Sequence, residues 1–489
     1  MRYKILSVFA ALVVISACGD LTSINQNPNG PVDVPPPSIL PQVIQVVVGN
    51  VNGVNSLNIR GGGLWVQYYS QIQYRDEDKY IVRSGTSGGW GLYNSALEDI
   101  QRMINKGVAN NTPNWTAVGR ILKSYVYSVM TDAMGDLPYS DALKGDTVLH
   151  PTYDTQQAIY NGLLADLALA NTEIDLAPGA VGFSEGDLMY NGSMARWKRF
   201  ANSLRLRLAI HLSQRDPAKA ASEAAAAVAA GVFTSNADNA QLMYLATSPN
   251  RNPIYNDAQG RDDYGMSKTF VDSLTSFGDP RLPVFAQINP AGTGYQGLPN
   301  GLNDGAGTPI VNISRFGAYW RSTPNAPMHL LTYSEVLFLE AEAAERGWIP
   351  GGTAAAATYY QNAITASMQQ YGIAAGPIAT YLGQAKVGYD AGGTTLAAHM
   401  NQIMYQKWVS LFMQGMESWT EVRRTRIPLL IPGVNAVFGA GVPGQIPERL
   451  PYDDNEAVLN AANLNAAVTA QGFSQGNDIQ KPLWFTGRQ

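Results

Sequence analysis

The chain has 489 residues, with 33 basic against 38 acidic side chains for a formal charge of −5, and a single cysteine. That balance excludes the basic footprint non-specific nucleic-acid binding requires, and one cysteine excludes both an intrachain disulfide framework and a multi-thiolate metal site. Length alone allows two or three domains, yet no charge block or Ser/Gly run divides the chain, so one large body is expected behind an N-terminal leader.

Arg2 and Lys4 precede an uncharged, mostly apolar run over residues 5–17, the pattern of a bacterial export signal. The run is too short to cross a bilayer. Ile15, Ser16, Ala17 and Cys18 form a lipobox-like tetrapeptide, with small residues at the two positions before the thiol. Residues 1–17 are therefore expected to be a lipoprotein signal and Cys18 the lipidated first residue of the mature chain. The plain alternative is an ordinary signal peptide with an incidental cysteine. Residues 18–42, rich in Asn and Pro and without helical periodicity, read as a tether. Acyl chains can hold a soluble body at a membrane without a spanning segment.

The body, residues 43–489, reads as mainly α: helix hairpins, long irregular loops and a few short strands. Residues 61–80, "GGGLWVQYYSQIQYRDEDKY", gather Trp65, Gln67, Tyr68, Tyr69, Gln71, Tyr74 and Arg75, and a β-like run follows over 79–83. Gly85, Thr86, Ser87, Gly88 and Gly89 spell G-x-S-x-G, and His150, His211, His329 and His399 all come later. A nucleophile elbow belongs in a parallel βαβ sheet, whereas this motif lies among helical and loop-like sequence, which argues against hydrolase chemistry. Over 194–212, Trp197, Phe200, Ala201, Leu204 and Leu208 make one apolar stripe, with Arg199 and Asn202 on the opposite side. Residues 216–231 have Asp216 as N-cap, Pro217 at the first helical position and Gly231 as terminator. Helical periodicity also runs over 332–346, 353–371 and 396–421. Between the helices lie long polar loops, over 75–92, 247–266 and 287–327.

Glu340 follows Val336 and Leu337 and precedes Ala344, which puts a carboxylate on an apolar helix face. Such a charge needs a partner, and Arg205, Arg207, Arg423 and Arg424 are the available donors. Glu417 and Glu421, one turn apart, also read as structural, since glycosidase carboxylates face each other across a cleft. Sugar binding asks for a flat aromatic face flanked by hydrogen-bonding side chains. Three stretches supply both: Trp65, Tyr74 and Arg75; Tyr255, Arg261 and Asp262; and Tyr319, Trp320 and Arg321. For Trp65, Tyr68 and Tyr69 core packing is an equal reading, and a peptide ligand could use the same set. Residues 452–460 are acidic enough for calcium, but a solvated turn is the simpler account. No catalytic residue, metal or cofactor is assigned.

Several phrases recur in order along the chain: "INQNPNGP" after the lipobox, "GDLPYSDAL" (135–143), "WKRFANSLRLRLA" (197–209), "LLTYSEVLFLEAEAAERG" (330–347), "YYQNAITASMQQYGI" (359–373), "QKWVSLFMQGMESWTEVRRT" (406–425) and the closing "IPERLPY" and "KPLW". Together they resemble the SusD/RagB family of nutrient-binding outer-membrane lipoproteins. The resemblance implies a helical core of tetratricopeptide-like hairpins, lipid-anchored on the outer membrane and exposed at the cell surface. It also implies a non-catalytic protein that hands an oligosaccharide or peptide to a SusC-type TonB-dependent transporter. No ligand residue carries over, because ligand sites in that family vary in position. A lipid-anchored hydrolase and a purely structural surface lipoprotein remain the alternatives.

Overall fold

A computed structural model describes residues 34–54, 56–82, 89–184 and 186–488. The leader, Cys18 and Ser87 lie outside the described residues.

The body is built from helices that pack on their sequence neighbours. Glu98–Ala109 turns through three residues into Pro113–Met134, which packs on Gln156–Glu173, and that helix in turn on Met194–His211 and its partner Pro217–Ala230. A second run joins Tyr333–Glu345 to Gly352–Gln370, then Leu396–Ser410 and Gly415–Thr425. The runs meet where Tyr333–Glu345 packs on Met194–His211, and Gly415–Thr425 packs on both that helix and Pro113–Met134. The short connections from Ala109 to Pro113, His211 to Pro217 and Glu345 to Gly352 make those neighbours antiparallel hairpins. Side-chain caps start four of these helices: Thr155, Asp216, Thr332 and Thr395 accept from Ala158, Lys219, Glu335 and Ala398 backbone N–H groups, which the helix itself leaves unpaired. Among the described residues, no helix is long and apolar enough to cross a membrane.

The 194–211 stripe is buried, with Trp197 edge-on to Tyr190 at 5.2 Å. Asn202, expected on the solvent side, is buried instead. Its Nδ2 donates to the Ala230 and Gly231 carbonyls, both at 3.0 Å, and so caps the C-terminal end of the neighbouring helix. The expected helix over 396–421 is two helices, broken between Ser410 and Gly415. Asn58 causes the break to be tolerated: its Nδ2 donates to the Met413 carbonyl at 3.0 Å and its Oδ1 accepts from Gly415 N–H at 2.9 Å. Backbones meet closely there, since a Cβ on Gly62 would lie 2.5 Å from the Gly415 carbonyl oxygen. The tether reading ends before Pro36, where helix Pro36–Asn52 begins and buries Ile39 and Leu40.

Strands are few: Tyr69–Gln71 pairs antiparallel with Tyr264–Met266, and Ala240–Leu242 with Met328–Leu331. The β-like run at 79–83 forms no strand among its described residues; Glu77–Lys79 is a 3₁₀ turn.

Where the helix runs meet, buried charges form one connected knot. Arg207 forks onto Glu335, with Nε and Nη2 2.6 and 2.7 Å from the two carboxylate oxygens, and lies 3.3 Å from Glu417. Arg424 forks onto Glu342, both contacts at 2.7 Å, and reaches Glu421 at 2.6 Å. Lys407 Nζ is 3.2 Å from Glu421, and His211 bridges Asp132 (3.1 Å) and Glu417 (3.0 Å). Burial pulls the His211 imidazole down, but Glu417 and Asp132 outweigh it and push it up to about 9, so both ring nitrogens donate. Burial disfavours the Glu417 carboxylate, yet Arg207 and His211 hold it down at about 2. His211, Glu417 and Glu421 bring ligand atoms within 4.8 Å of one another, but Lys407, Arg207 and Arg424 already supply the compensating positive charge.

The expected partner of these arginines, Glu340, is elsewhere. It is 7% exposed, has no ion pair among the described residues, and burial raises its carboxyl to about 7. The whole of Ser334–Ala344 is buried, so the helix has no single apolar stripe, and Glu335 and Glu342 take the arginines in its place. Arg205 pairs with Glu223 at 2.7 Å, and Arg423 lies 3.5 Å above the Trp419 ring, donating to the Glu448 carbonyl.

Candidate functional site

The short Tyr69–Gln71/Tyr264–Met266 ladder sets the loops that flank it side by side, and Ile72 N–H extends it by donating to the Asp263 carbonyl at 2.8 Å. Between these loops opens a cleft of about 500 Å³, lined by Arg60, Gln71, Gln73, Tyr74, Asp76, Glu77, Asp257, Arg261, Asp263, Tyr264 and Asp304, with Val54 at one side. Its wall is braced from behind. Gln71 donates to Glu77 at 2.9 Å and accepts from Asp78 N–H at 3.1 Å. Arg75 is buried beneath, donating to the carbonyls of Ile72 (3.0 Å), Asn303 and Ala306 (both 2.8 Å), and so ties the 303–306 loop to the cleft floor.

Tyr74 stands at the apex of its loop. It is 64% exposed and has a left-handed backbone, φ 56°. That conformation costs a bulky side chain roughly 1 kcal/mol or more and persists only where surrounding contacts impose it. The Arg261 guanidinium lies 5.2 Å from the Tyr74 ring centre and is held by Asp263 at 2.6 Å. Asp263 also accepts from Gln73. Arg60 pairs with Glu77 at 3.1 Å and Lys79 with Asp76 at 3.7 Å. Burial, reinforced by the neighbouring Asp263 and Asp262, raises Asp257 to about 6. An open aromatic ring over hydrogen-bonding side chains of both signs is the arrangement that stacks on a sugar face and replaces water on its hydroxyls.

Of the residues singled out from sequence, Tyr74 and Arg261 meet in this cleft. Asp262 is next to it but turned away, accepting from Arg315 at 2.9 Å and from Arg321, so both it and Arg321 support the loop rather than line the cleft. Arg75 is the brace described above. Trp65 is fully buried, edge-on to Trp419 at 4.8 Å, with its indole N–H on the Glu77 carbonyl. Trp320 is fully buried against Tyr319, itself half-buried against Tyr371. Tyr255 is half-buried with Arg251 over its ring, outside the cleft lining. A second cavity of about 280 Å³ includes Trp90, but Tyr93, Tyr153 and Tyr452 pack around that ring. In residues 452–460, Asp453 accepts from Asn455 N–H and Glu456 from Asn460 and the sequence-distant Tyr153, so these two acids already have protein donors.

Sequence reasoning missed Arg60, Glu77, Asp257, Asp263 and Asp304. The available signal was the acid-rich flank of each chosen aromatic or arginine, "YRDED" and "GRDD", where charge density on a loop exceeds what solvation of a turn needs.

The SusD-like family model described as "Starch-binding associating with outer membrane" matches residues 28–453. Among solved structures, a chitin-binding protein is 29% identical, over 92% of this chain and 99% of its own, with a TM-score of 0.78. A SusD homologue from Bacteroides fragilis NCTC 9343 is 27% identical over 94% and 100%, also at 0.78. A chitin-binding SusD homologue from Flavobacterium johnsoniae, 24% identical over 91% and 98%, shares the fold at 0.81. No curated protein sequence matches. With its family model spanning most of its length and its hairpin body superposing on SusD homologues, the chain belongs to the SusD-like family.

Proposed function

We propose that the protein captures a glycan at the outer-membrane surface and passes it, chemically unchanged, to a SusC-type TonB-dependent transporter. The open Tyr74 ring above the polar cleft carries this reading. Family membership supports a glycan over a peptide, since the family model is described as starch-binding and two structural relatives as chitin-binding. The lipobox-like sequence ending at Cys18 supports a lipid anchor there. Stacking sites of this kind give micromolar to millimolar affinity, about 4 to 8 kcal/mol, weak enough to release cargo to a pore.

Titration of starch and chitin oligosaccharides into the protein, with product analysis of the same mixtures, tests the reading. Saturable binding that weakens about tenfold or more in Tyr74→Ala, with no shortened product, is expected. Product formation would reinstate the hydrolase reading; absence of any binding would remove the cleft assignment. Co-purification of a large β-barrel partner from native membranes tests the hand-off, and palmitate labelling that disappears in Cys18→Ala tests the anchor.

A further inference from the structure

The charges of the cleft do not balance. Its two arginines are each already engaged by a carboxylate, Arg60 by Glu77 and Arg261 by Asp263, and Asp76 is met by Lys79. Two carboxylates remain without a cation within ion-pair distance among the described residues. Asp304 accepts only the Arg75 backbone N–H, at 3.3 Å, and Asp257 has no side-chain hydrogen bond there. Asp257 sits on the opposite loop from Tyr74, at the end of helix Pro253–Ala258, where the like charges of Asp263 and Asp262 act on it more strongly than the opposite charges of Arg261 and Arg321.

We propose that the cleft selects sugars carrying a free amine and rejects uronic acids, with Asp257 as the carboxylate that receives the ammonium group. The inference rests on the cleft being the glycan site. An ammonium entering beside Asp257 gains a charge-assisted hydrogen bond to a partly desolvated carboxylate. A sugar carboxylate in the same place meets Asp257, Asp263 and Asp304, while both arginines are already spoken for. Its neutral N-acetylated counterpart gains and loses little from either. Burial together with Asp263 and Asp262 raises Asp257 to about 6 against the weaker pull of Arg261 and Arg321, the response of a carboxylate whose nearby cations are committed to other acids.

Calorimetric titration at pH 7 and low salt with chitotetraose, its fully deacetylated tetramer and a tetragalacturonate tests this, on wild type, Asp257→Asn and Tyr74→Ala. The deacetylated tetramer is expected to bind about tenfold more tightly than chitotetraose, with the uronate weakest. In Asp257→Asn the deacetylated tetramer loses most of its advantage over chitotetraose, and Tyr74→Ala weakens both. Equal binding of all three, or tightest binding of the uronate, overturns the charge selection and leaves the cleft as a sugar site. Binding of none, with a lysine-rich peptide taken up instead, overturns the glycan reading as well. An unchanged amine preference in Asp257→Asn, in a variant whose melting temperature matches wild type, removes Asp257 from the role.

Discussion

The buried knot and the cleft use the same residue types to opposite ends. In the knot, Arg207 and Arg424 are forked onto Glu335 and Glu342 in a buried helix junction, and each further charge has a partner within 4 Å. In the cleft, pairs such as Arg261–Asp263 stand partly in water on loops, and Asp257 is left over. A buried charge must be matched because desolvation is costly, so its geometry is fixed by folding. At a solvent-facing cleft the cost of a mismatch is small, which leaves charge free to serve a ligand.

The contrast can be broken from the knot side first. Arg424→Met leaves the buried Glu342 and Glu421 short of their main counter-charge, and a loss of about 4 kcal/mol is expected in urea unfolding. Glycan affinity of the folded fraction should be unchanged.

The pH profile sharpens it next. The folded-state pKa of His211 is above its unfolded value, about 9 against 6.5, so its contribution is fully present below pH 6.5 and is lost as pH rises through 9. Glu417 is depressed to about 2 from 4.5, so its contribution is present above pH 4.5 and lost as pH falls through 2. The contribution of these two groups should therefore be level between about pH 4.5 and 6.5 and decline by about 3 kcal/mol on the alkaline side. Denaturant midpoints against pH check this, and His211→Gln should flatten the alkaline slope.

Glu340 provides a change of opposite sign. Its carboxyl is raised to about 7 by burial, so the folded state binds its proton more tightly and stability falls between pH 4.5 and 7. Glu340→Gln should stabilise the protein by about 2 kcal/mol at pH 8 and by almost nothing at pH 4, as read from thermal melts. Smallest of all, Tyr74→Ala should leave stability within about 0.5 kcal/mol of wild type, because the ring is largely exposed and packs into no core. A larger loss would make Tyr74 a structural residue and weaken its assignment as a stacking platform.

What was legible in the sequence follows the range of the forces involved. Helix Pro217–Ala230 could be read outright, because Asp216, Pro217 and Gly231 act within a few residues of themselves. The break between Ser410 and Gly415 could not, since it depends on Asn58, more than 350 residues away, taking both Met413 and Gly415. Periodicity found a buried carboxylate on Tyr333–Glu345 but chose Glu340. In a helix buried all round, no stripe tells which acid meets an arginine. For the site, composition brought Tyr74 and Arg261 to attention on separate loops, and both line the cleft, whereas Trp65 and Trp320 belong to the core. An aromatic's residue type says nothing about which of its faces is covered. That is decided by Trp419 and Tyr371, each distant in sequence.

Asp262 divides labour between adjacent positions. Anchored by Arg315 and Arg321, it holds the loop in place while its two neighbours line the cleft. Substitutions at 261 and 263 can therefore retune recognition without unseating the backbone that presents them. If the cleft is the glycan site proposed above, those two positions are a compact handle for redirecting it toward a different polysaccharide.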